Sequence, residues 1–87
     1  TRYAFHVGET LLNLSQVTIE NGSPLVGWTI GRLAREADVS VVCYEGAGTT
    51  ALHPDPELPV SAGDCLTVIG TVEKLHRLEA LNVAPTR

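Results

Sequence analysis

The residues able to act as nucleophile, base or metal ligand are few and scattered. His6, His53 and His76 are isolated from one another, and Cys43 and Cys65 each sit inside an apolar run. Thiol catalysis needs a cysteine, a histidine base and an orienting acid brought together. No segment supplies that trio. In such runs a cysteine behaves as a small buried hydrophobe, so both thiols are expected reduced and in the core, with His76 exposed on a helix. His53, Asp55 and Glu57 form a second cluster, on a proline-stiffened loop. A hard divalent ion takes about six or more oxygen ligands, so this cluster reads as a solvated acidic tip.

Gly46-Ala47-Gly48-Thr49-Thr50-Ala51 has the spacing of a dinucleotide-phosphate loop. That chemistry requires a helix whose first amides meet the pyrophosphate. Pro54, Pro56 and Pro59 follow closely and forbid a helix there. The run reads as a hairpin turn. Neither a catalytic residue nor a metal ligand is expected, and the chain reads as a non-enzyme.

The elements that would carry these residues can be read from periodicity. Residues 1–13 do not declare themselves and are taken as a linker or the tail of a preceding element. Ser15–Glu20 alternates, with Val17 and Ile19 pointing one way and Gln16, Thr18 and Glu20 the other, as in a half-buried strand. Asn21-Gly22 turns the chain and Pro24 keeps the next loop extended. Thr29 can cap a helix in which Ile30, Leu33, Ala34 and Ala37 make one apolar stripe.

Val39–Tyr44 reads as a strand apolar on both faces, with Val41 and Cys43 on one side and Val42 and Tyr44 on the other. Gly46-Ala47-Gly48 permits a tight turn into a return strand, Thr49–Leu52. Ala62-Gly63-Asp64 then leads into a last strand, Cys65–Ile69, with the Asp64 side chain expected to bond backbone amides in the turn. Thr71 caps a final helix striped by Val72, Leu75, Leu78 and Leu81. The order strand, helix, strand, strand, strand, helix predicts an α+β two-layer domain with a small mixed sheet. Its expected extent is residues 14–83, with 84–87 as a tail.

Composition narrows the partners. Hydrophobic residues make up 44% of the 87 residues and charged residues 18%, a globular balance that suits one core. The net charge is −4 and six basic residues are dispersed along the chain. Nucleic acid and anionic membrane surfaces prefer a basic face, so neither is expected as a partner. No apolar run is long enough to span a bilayer. The chain opens on Thr1, contains no Met and reads as a piece of a longer polypeptide.

Several motifs together resemble a known family. Ser23-Pro24-Leu25-Val26-Gly27, followed by Thr29-Ile30 and Leu33, is similar to its "SPLvGkTl..L" signature. Val39–Val42 is similar to the strand after its helix, and Pro54-Asp55-Pro56 to its "P.pd..l" segment. Ala62–Gly70 resembles "aGDvLlviG", and Glu73, Leu75 and Leu78 fit the helix that follows. The ordered set, from about Leu14 to Asn82, resembles the C-terminal domain of RCK/TrkA proteins, regulators of potassium conductance and transport.

The resemblance implies a cytoplasmic regulatory domain of, or associated with, a plasma-membrane channel or transporter. It implies ligand sensing and a homodimer, with residues 1–13 leading from a nucleotide-binding half. In some bacterial members the effector is cyclic di-AMP, held between two copies. Glu45, His53 and Pro54 fall where effector contacts are expected. Family members often carry a basic residue where this chain has Glu45, and an acid there repels an anionic dinucleotide. Anion or dicarboxylate transporters, cation/proton antiporters and a ligand-free dimerisation role are the alternative settings.

Overall fold

Turn chemistry and capping set most of the element boundaries. The computed structural model describes residues 3–85, so Thr1 and Arg2 of the expected linker, and Thr86 and Arg87 of the expected tail, lie outside the described residues. Strands β1 (Tyr3–Val7) and β2 (Thr10–Thr18) are followed by helix α1 (Ile30–Ala37). Strands β3 (Ser40–Gly46), β4 (Thr49–Leu52) and β5 (Cys65–Gly70) precede helix α2 (Val72–Leu81). The domain is α+β.

The five strands lie in the order β1-β2-β5-β3-β4. Every pairing is antiparallel, so the expected mixed sheet is corrected. A strand-helix-strand unit suggests adjacent parallel strands. Here β2 and β3 do run the same way, but β5 inserts between them and opposes both.

Most of the described part of residues 1–13, expected as a linker or the tail of a preceding element, is β-strand. Tyr3–Val7 and Thr10–Thr18 form a hairpin closed by Gly8-Glu9, with Val7 paired to Thr10. Gly8 has φ 63, as the first central residue of a type II′ turn requires. The strand eludes periodicity because its apolar residues change sides. Val17 and Ile19 are buried, yet in the same alternation so are Asn13 and Ser15, while Leu12 and Leu14 occupy the opposite face.

Thr29 accepts a bond from the Arg32 amide at 3.1 Å and opens α1. The stripe Ile30, Leu33 and Ala37 is buried, with Ala34 at its margin. Asp38 closes the helix in the left-handed region at φ 58. Thr71 caps α2, whose Leu75 and Leu78 are buried while Val72 remains 36% exposed, so its apolar face begins a turn later than expected. Both stripes join one core with Val17, Tyr44, Leu66 and Val68 from the sheet and Ile19 just beyond β2.

At the far end of α2, the buried Asn82 side chain donates to the Thr18 carbonyl at 2.7 Å and accepts from the Glu20 amide at 3.1 Å. This fastens the last helix to the end of β2.

Candidate functional site

The expected effector residues lie on the β3–β4 hairpin at one edge of the sheet. Ala47 and Gly48 form its turn with φ 51 and 76, and Gly46 pairs with Thr49. Thr49–Ala51 therefore enter a ladder, and the Gly-rich run ends as a turn with no helix behind it. Glu45 is exposed, paired with Thr50 on one side and Cys65 on the other. His53 is exposed just beyond β4, with φ 53 and its amide bonded to the Val42 carbonyl at 3.1 Å. Pro54 beside it is buried.

Glu45 and His53 thus stand at opposite ends of the hairpin. The strand between them spans about 10 Å at ~3.3 Å per residue. His53 and Pro54 are brought together, and Glu45 is not part of that pair.

The proline segment after His53 has a structural task. Ile30 and Gly31 at the start of α1 donate to the Leu58 and Pro56 carbonyls, both at 2.8 Å. Those are amides a helix would otherwise leave free for an anion. The start of α1 is consumed. Asp55 Oδ1 accepts from the Glu57 amide at 2.9 Å, so it serves its own turn. Among the described residues, no three His, Cys, Asp or Glu side chains gather as metal ligands.

The buried end of the hairpin is held by Asp64. Its Oδ2 accepts from the Ser61 amide at 2.8 Å, the turn role the sequence suggests, and also from the Tyr44 hydroxyl at 2.9 Å. Burial, then this bond and the carboxylate charge, push the Tyr44 phenol above its ordinary value. A side chain at Gly46 would overlap the Asp64 carboxylate and come within 2.7 Å of the phenol oxygen.

A feature not anticipated from the sequence lies at the other end of β3. A cavity of about 250 Å³ is lined by residues including Thr10, Leu12, Ser40, Ile69, Thr71 and Lys74. The Lys74 ammonium pairs there with Asp38. That hydrogen bond, and secondly the charge, hold the Asp38 carboxyl below its ordinary range. The cation in the cavity is therefore already matched.

Both thiols are free, but they depart from the expected core position in being only half-buried. A bulge at Val42 shifts the register between Val41 and Cys43, so Val41 packs on the core while Cys43 faces away from it. His76 is exposed on α2, as expected, and neither thiol bonds a histidine among the described residues.

Residues 14–82 match the model of the TrkA-C domain. The chain belongs to that family. A search of curated proteins finds no match. Among solved structures, the TrkA-C chain is similar to the RCK_C domain dimer of S. agalactiae BusR in complex with c-di-AMP. The TM-score is 0.70 at 18% identity, covering 78% of this chain and 92% of that one. It is similar to the RCK C domain of the potassium transport protein KtrA in complex with c-di-AMP, at TM-score 0.64 and 17% identity, covering 77% and 79%. It is also similar to the GsuK channel, at TM-score 0.71 and 23% identity, covering 97% of this chain and 16% of that one. BusR has further been solved with its promoter DNA, where the TrkA-C chain covers 34% of the BusR chain. At these identities the likenesses establish the fold. No described helix is long and apolar enough to cross a membrane.

Proposed function

We propose that this TrkA-C domain is a cytoplasmic ligand-sensing and dimerisation module that regulates a potassium channel or potassium transport system. The observation that carries the reading is the family match over residues 14–82. The names of the KtrA and GsuK relatives support the potassium setting.

In this reading two copies bring the exposed Glu45 and His53 to a shared small effector, with buried Pro54 fixing the backbone beside His53. A ligand gates the attached pore only as far as it prefers one arrangement of the pair over another. Cyclic di-AMP is the first effector to test, and Glu45 is the residue that opposes it.

Light scattering of the chain should give the mass of a homodimer. Thermal-shift measurements with cyclic di-AMP, adenine nucleotides and divalent ions should find a stabilising effector. The expected gain is about 2–3 kcal/mol at a ligand concentration roughly a hundred times Kd. Glu45→Lys should tighten any dianionic ligand. A monomer at high concentration would overturn the dimer. Stabilisation by none of the ligands would leave a purely structural dimerisation domain.

A second reading follows from the BusR complex with promoter DNA. The same module then senses its effector on behalf of a transcription regulator. Anion or dicarboxylate transporters and cation/proton antiporters are further possible parents, and the neighbouring domains of the polypeptide distinguish them all.

A further inference from the structure

Cys43 and Cys65 lie on the same face of the sheet, away from the core. Tyr44 and Leu66 are directly opposite each other and buried, so the residues flanking them on β3 and β5 point the other way. Cys43 is opposite Thr67, and Cys65 is opposite Glu45. The two thiols are therefore diagonal neighbours on adjacent interior strands. Both are free and partly open to solvent.

We propose that Cys43 and Cys65 form a two-coordinate site for a soft, thiophilic metal ion, with Cu(I) as the best-matched case. Spacing decides between an ion and a disulfide. Diagonal strand neighbours stand about 7–8 Å apart at Cα, whereas a disulfide usually needs about 4.4–6.8 Å. An interposed ion adds two metal–sulfur bonds, each of roughly 2.3 Å for thiolate on zinc, and so spans a gap too wide for a direct sulfur–sulfur bond.

Ligand type decides which ion. Thiolates select soft ions over magnesium, calcium or manganese. Zinc takes four ligands, and among the described residues no third donor joins the two thiols. Each thiol releases its proton to solvent as its sulfur bonds the ion. No electron is transferred. The site is independent of the regulatory reading above.

The test is a titration of the reduced 87-residue chain against the Cu(I)–bicinchoninate complex without oxygen, read from the competitor's absorbance. The chain should withdraw one Cu(I) per copy. Cys43→Ser and Cys65→Ser should each weaken uptake at least about a hundredfold, more than loss of an outer-shell partner costs. Circular dichroism should show both variants folded. X-ray absorption at the copper edge should report sulfur neighbours only. Failure of the wild-type chain to withdraw copper would overturn the site, as would full uptake by either serine variant. Rapid, quantitative disulfide formation between the two in the folded chain would overturn the spacing argument.

Discussion

Tyr44 on β3 donates its hydroxyl to Asp64 Oδ2 at 2.9 Å, across 20 residues of sequence. The same oxygen holds the Ser61 amide, so one carboxylate joins the candidate hairpin to the turn that launches β5. Tyr44→Phe keeps the ring and removes the donor. Because the acceptor is charged, the expected loss is about 1.5–3 kcal/mol, read as a lower urea midpoint at unchanged slope. Asp64→Ala should cost more, since it strands both donors. Equal midpoints for wild type and Tyr44→Phe would refute the contact.

The same pair sets an alkaline limit. The Tyr44 phenol titrates above its ordinary value in the fold, so the unfolded chain releases that proton first. The linked stability is complete below about pH 10. It is lost as pH rises through the raised folded value. Urea midpoints should fall over this window and fall less in Tyr44→Phe, whereas parallel curves would place the cause elsewhere.

Asn82 bonds Thr18 and Glu20 with one side chain. Asn82→Ala removes two part-buried hydrogen bonds and should cost about 0.5–1.5 kcal/mol for each. Hydrogen exchange at the Glu20 amide should accelerate in the variant. Unchanged protection would contradict the anchoring role.

Asn13 gives the opposite sign. Its Nδ2 is buried with no hydrogen-bond partner among the described residues, an arrangement that costs free energy. Asn13→Val replaces it with an apolar, strand-favouring side chain. A gain of about 1 kcal/mol, within the cost range of an unmade bond, should appear as a higher thermal midpoint. Destabilisation would mean that the amide has a role in an assembled state.

Features written locally in the sequence were legible. The Thr29 and Thr71 caps, the Gly46–Gly48 turn, the proline breaks and the α1 stripe depend on near neighbours and fall where the sequence puts them, while the α2 face begins one turn late. The first hairpin was not legible, because Asn13 and Ser15 point inward where apolar residues were sought. The bulge at Val42 likewise breaks the alternation that placed Val41 beside Cys43. The Asp64–Tyr44 and Asn82–Thr18 contacts join distant segments, so no short window reveals them. Of the candidate site, the turn was foreseeable. The separation of Glu45 from His53 needed the strand register.

The position of β5 between β2 and β3 has a consequence for biosynthesis. A ribosome makes both outer partners of that strand before it makes Cys65–Gly70. Until then a nascent chain carries two strand edges with no shared neighbour, and such edges invite pairing with other chains. Folding of this unit is therefore tied to completion of its last quarter. Premature termination within that stretch would yield material for proteases and chaperones rather than a smaller working domain.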